Sequence, residues 1–65
     1  MSNIRTYGRT ELAQAYFPNI TPKSAWEKLR SLMATDEELS PLLSTGRRSF
    51  LPAEVAIIFG LLGQP

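Results

Sequence analysis

Apolar residues fall along this chain in short clusters separated by single prolines and glycines, a spacing that predicts several brief helices. In the first cluster Leu12, Ala13, Tyr16 and Phe17 share one side of a helix while Glu11 and Gln14 take the other. This predicts a helix over residues 11–17, preceded by Thr10 as a capping residue and ended by Pro18 and Asn19, because a residue before proline is pushed out of helical angles. Thr21 followed by Pro22 is the clearest start signal: a side-chain oxygen for the cap, then a residue whose missing N–H costs nothing in the first turn. Along the second helix Ala25, Trp26, Leu29, Leu32 and Met33 occupy an arc of about 120° at helical spacing, with Lys23, Ser24, Glu27, Lys28 and Ser31 opposite.

Thr35 and Glu38 have the spacing of a capping box, and the acids at 36–38 suit the positive end of a helix dipole. Pro41 sits too far inside for a long regular helix, so residues 36–44 are expected to be kinked or split and to end at Gly46 in a left-handed conformation. Residues 47–51 then read as a short extended segment, with Phe50 inward and the early stretch 4–7 as its pairing partner. Pro52 opens the last helix, Glu54 stands at its third position, and Gly63 and Pro65 close it. The fold class expected is a single mainly α domain over residues 1–65, helix-turn-helix and winged-helix-like, with three to four short helices and a small two-stranded β element.

At 65 residues the chain buries only about 60% of the surface its unfolded form exposes, so its core must be compact. A content of 43% apolar and 20% charged residues supports such a core, and the absence of Cys and His removes disulfides, thiolate and imidazole chemistry and the usual transition-metal sites. The amino end, Met1 to Thr10, is polar and lacks the apolar h-region of a signal peptide. The longest apolar run, Val55 to Leu62, is interrupted by Gly60 and falls far short of the roughly 20 residues that span a bilayer. A cytoplasmic protein without membrane attachment is expected. Net charge is +1, but it is unevenly spread: residues 1–30 hold five basic side chains against two acids, whereas residues 31–46 hold only Asp36, Glu37 and Glu38.

Nothing here suits catalysis. Asp36, Glu37 and Glu38 are consecutive and point in different directions, and the four glycines are too scattered to cradle a phosphate. No cofactor, metal or small-molecule substrate is expected. Tyr16, Phe17 and Trp26 stand at helical spacing and read as core.

The constellation with functional content is Glu11-Leu12-Ala13, a turn containing Asn19-Ile20-Thr21, and Ser24-Ala25-Trp26, which resembles a helix-turn-helix. If the second helix enters a major groove, its first turns carry Lys23, Ser24, Glu27 and Lys28 toward phosphates or base edges. The element order, with its last helix opening Phe50-Leu51-Pro52-Ala53-Glu54-Val55, resembles the winged helix of the mercury-resistance regulators and excisionases. That resemblance implies that Arg47 and Arg48 touch the DNA backbone. The turn is longer than in that family, and Asn19 stands where its glycine is expected. Over nearly the full chain, in Tyr7-Gly8-Arg9-Thr10-Glu11-Leu12-Ala13, in Tyr16-Phe17-Pro18-Asn19-Ile20-Thr21-Pro22 and in Leu62-Gly63, the sequence also resembles small proteins of Bacteroidetes grouped as a domain of unknown function. That likeness implies a compact helical fold and no particular activity.

Two functions are therefore expected to compete. One is a regulatory or accessory DNA-binding protein using Lys23, Ser24, Glu27, Lys28, Arg47 and Arg48; four of these cations on phosphates give a salt slope of about −3.6. The other is a protein-interaction adaptor. Apolar side chains surround the whole circumference of the last helix, and a chain this short can hardly enclose it. Ile57, Phe59 and Leu61 are thus candidates for a homodimer or partner interface.

Overall fold

The computed structural model describes residues 4–65; Met1–Asn3, the start of the polar amino-terminal stretch, lie outside the described residues. The elements run β1 (Tyr7–Gly8), α1 (Arg9–Tyr16), α2 (Pro22–Ala34), a 3-10 helix (Ser40–Ser44), β2 (Ser49–Phe50) and α3 (Pro52–Leu62). β1 and β2 pair antiparallel, Tyr7 opposite Phe50 and Gly8 opposite Ser49. The architecture is a mainly α domain of three helices with one small two-stranded sheet, as the residue pattern predicts.

Each strand runs directly into a helix, and both junctions are built alike. Glu11, at the third position of α1, accepts the Gly8 N–H at 3.0 Å, and Glu54, at the third position of α3, accepts the Leu51 N–H at 2.8 Å. Backbone donors that a helix start leaves unpaired are thereby satisfied. Each carboxylate also holds an arginine from the segment before its strand: Arg5 on Glu11 at 2.7 Å and Arg47 on Glu54 at 2.6 Å. The cap of α1 is therefore Gly8 and not Thr10, and α1 starts two residues earlier than its apolar spacing indicates. β2 is shorter than the expected 47–51 segment, and its partner is Tyr7–Gly8 because Gly8 must both pair with Ser49 and begin the helix.

These junctions predict an acid-labile fold. The Arg5 hydrogen bond and the Gly8 N–H hold the Glu11 carboxyl below the usual range. At Glu54 partial burial pushes the pKa upward, but the Arg47 and Leu51 hydrogen bonds and the Arg47 charge outweigh it, so the net direction is again down. A carboxylate whose folded pKa is depressed contributes stability that is complete above its unfolded value, about 4.3 for glutamate, and is lost as pH falls through the folded value. The melting temperature should stay level from neutral pH down to about 5 and drop steeply below about 4. Glu54→Gln should lower stability by about 1 kcal/mol at neutral pH and flatten that acid limb; an unchanged limb would remove the assignment.

α2 begins as predicted, with Thr21 Oγ1 accepting the Ser24 N–H and Pro22 in the first turn. Its buried positions are Ala25, Leu29 and Met33; Trp26 is half-buried at the edge of that stripe, and Leu32 is exposed, narrowing the apolar face expected. The Thr35–Glu38 box does not form. Thr35 is still in helical conformation and its hydroxyl donates to the Leu32 carbonyl at 2.9 Å, while Asp36 Oδ1 accepts from the Glu38 and Leu39 amides at 2.8 and 3.1 Å. Residues 36–44 accordingly form a turn followed by the 3-10 helix, with Pro41 in its first turn. Gly46 then takes φ 78°, the left-handed angle expected of it.

Fully buried Leu12, Leu29, Met33, Leu39, Val55 and Ile58 form the centre of the core. Ala13 and Ala25 are also wholly buried, and their small side chains let α1 and α2 pack closely against each other. α3 joins this unit through larger side chains: the Phe59 ring meets Tyr7 and Tyr16 edge-on, with centroids 6.0 and 6.3 Å away. The Tyr16 hydroxyl donates to the Gly63 carbonyl, tying the end of α3 to the end of α1. Among the described residues, no helix is long and apolar enough to cross a membrane.

Candidate nucleic-acid interface

Packing α2 on α1 through Ala25, Leu29 and Met33 turns Pro22, Lys23, Ser24, Glu27 and Lys28 outward, and all are exposed. They do not form one cluster. At about 100° per residue, Lys28 lies about 140° around the helix from Lys23. The Lys28 ammonium rests 5.5 Å from the centre of the Phe17 ring, on the flank beside the end of α1. Lys23 takes the opposite flank, three residues before Trp26, and Arg30 shares it, four residues after. Ser24 is occupied with the helix start: its hydroxyl oxygen accepts from the Thr21 hydroxyl at 3.0 Å.

The two arginines after Gly46 also part company. Arg47 is spent on Glu54, its Nη2 lying 2.6 Å from both carboxylate oxygens. Arg48 is exposed, has no carboxylate partner among the described residues, and accepts the Arg9 N–H on its backbone oxygen at 3.0 Å. Arg9 in turn places its guanidinium 5.3 Å from the centre of the Trp26 ring, and Trp26 packs against Phe50 with centroids 6.1 Å apart. Trp26 is thus the hub that brings the first residue of α1, the outer flank of α2 and the segment leading into β2 together.

Of the six residues expected to meet DNA, helical spacing puts Lys23 on the Trp26 flank, and Arg48 meets Arg9 through its backbone carbonyl. Glu27 lies just beyond Lys23, Lys28 is on the other side, and Arg47 is internally neutralised. Arg9, by its contact, and Arg30, by helical spacing, also stand beside Trp26, although the residue pattern does not single them out. Trp26 itself packs against the core, as its spacing predicts.

Elsewhere the exposed acids Glu37 and Glu38 flank the Asp36 turn, and no group of three acidic side chains able to hold a metal occurs among the described residues. The outer face of α3 carries no charge: Ala53, Ala56, Ile57, Gly60 and Leu61 are all exposed, Ile57 at 42% and Leu61 at 46%. Phe59 does not belong to that strip. At 6% exposure it is a core residue between Tyr7 and Tyr16, because position 59 falls on the side of α3 that faces the sheet and α1.

No curated protein and no solved structure matches the chain. A family does: residues 3–65 match the one described as a domain of unknown function (DUF4248), and since the match spans nearly the whole sequence, the chain belongs to that family.

Proposed function

We propose that this domain is a non-catalytic DNA-binding protein, regulatory or accessory in role, that lays the Trp26 flank of α2 against a duplex. The observation that carries the reading is the packing of α2 on α1. It leaves the first turns of α2 exposed, with the Arg9 guanidinium over Trp26 and the Arg48 backbone bonded to Arg9. A helix presented this way fits a major groove while neighbouring cations meet the phosphates. Lys23 and Glu27 are the side chains placed for base edges, since Lys donates to guanine and Glu accepts from cytosine. Arg9, Arg30 and Arg48 are placed for the backbone.

Fluorescence anisotropy with mixed-sequence duplex DNA tests this. Binding should appear at about 50 mM salt in the micromolar range, and three backbone arginines predict log affinity falling with log salt at a slope no steeper than about −2.7. No binding at tens of micromolar protein would remove the reading.

A second reading, a protein-interaction adaptor or homodimer, is favoured by one feature, the uncharged outer face of α3 with Ile57 and Leu61 half open to water. The two separate on one variant. Ile57→Ser with Leu61→Ser should leave DNA affinity intact under the first reading and abolish association under the second.

A further inference from the structure

We propose that Arg9 and Arg48 form a two-guanidinium clamp for a single phosphate group. The inference rests on the DNA reading for the identity of its ligand, a backbone phosphodiester, and on the geometry of the sheet for the site itself. Tyr7 faces Phe50 and Gly8 faces Ser49; Arg9 then begins α1, and its N–H donates to the Arg48 carbonyl at 3.0 Å just past the end of the ladder. That bond holds the two arginine backbones side by side, where like charges repel. Two arginines are the least favourable pair to find there unless something negative lies between them.

The arginines nearby sharpen the point. Arg5 and Arg47 also flank the sheet, and each is neutralised by the carboxylate at the start of the adjoining helix. Arg9 and Arg48 have no carboxylate partner among the described residues. Arg9 is held by the face of Trp26, a contact that orients the guanidinium without cancelling its charge. A planar guanidinium presents paired N–H donors that match two phosphate oxygens, so two of them can grip one phosphate from two sides. Lys23 and Arg30, on the same flank of α2, extend the positive field along a phosphate backbone.

The test compares the full chain with Arg9→Gln and Arg48→Gln in two measurements. The first is thermal unfolding in sodium phosphate against sodium chloride at equal ionic strength. Phosphate should raise the wild-type melting temperature by about 2 °C more than it raises that of either variant, since a ligand bound only by the folded state stabilises it. Arg48→Gln should also be no less stable than wild type in low-salt chloride, because it removes a repulsion. The second is the salt dependence of duplex DNA binding, whose slope should shrink by about 0.9 when both arginines are replaced and by less in either single variant, because the two share one phosphate. An equal phosphate response in all three proteins overturns the clamp, and so does DNA binding whose salt slope in the double variant is unchanged or falls by about 1.8, as two separate phosphates would give; the latter leaves the DNA reading standing. A phosphate response that both variants lose, with no duplex bound by wild type, upholds the clamp and ends the DNA reading.

Discussion

Leu29→Ala is expected to remove a large part of the domain's stability. Leu29 is completely buried on the face of α2 that meets α1, and cutting it to alanine removes apolar contact and leaves a cavity that its neighbours only partly fill. Such changes cost about 2–5 kcal/mol, whereas a domain of 65 residues has about 3–10 kcal/mol in all. Equilibrium urea unfolding, followed by circular dichroism and by the emission of Trp26, measures the loss. Leu32→Ala, three residues on but 47% exposed, should cost no more than about 0.5 kcal/mol. Equal costs for the two would mean that α2 is rotated from the orientation described, and the Trp26 flank with it.

Reversing two charges, Lys23→Glu with Arg48→Glu, should lower duplex affinity about 100-fold or more at about 50 mM salt. At that concentration the lost Arg48 phosphate contact removes roughly one decade of affinity through counterion release, the lost Lys23 base contact costs about 1–3 kcal/mol, and the new carboxylates add repulsion. Both side chains are exposed, so the fold should be retained. Lys28→Glu is the matched control. Its ammonium lies over Phe17 on the far flank, and a single reversal there should move affinity by only a few-fold. If Lys28→Glu proves as damaging as the double reversal, the binding surface faces the other way.

What could be read from the residues alone was mostly local. Thr21 and Pro22 announce the start of α2 because a cap needs only neighbours in sequence, and Gly46 announces a left-handed turn for the same reason. The failures lie where distant residues decide. Thr10 is a better capping side chain than Gly8, yet Gly8 wins because its pairing with Ser49 and the reach of Glu11 to its N–H are set together. Thr35 loses its box to Asp36, whose carboxylate accepts from the Glu38 and Leu39 amides. Nothing in the dipeptide Arg47-Arg48 says that one guanidinium will be consumed by Glu54 and the other left over; that follows from the strand leading into α3. The α3 strip was only partly legible because a helix apolar on all sides has no periodicity to distinguish Phe59 from Ile57. Likewise, the Arg9–Trp26 contact joins residues far apart in sequence that only the packing of α1 on α2 brings together. Fold class was thus accessible, whereas the composition of the site depended on tertiary pairing.

The bond from the Tyr16 hydroxyl to the Gly63 carbonyl has a bearing on how the molecule comes apart. Its final helix is moored at the near end by the sheet and at the far end by this tyrosine, so it has no loose terminus from which to peel. Amide protons along that helix should exchange with solvent at the same slow pace as those of the second helix, through one shared global opening event, giving so small a chain the behaviour of a single cooperative unit.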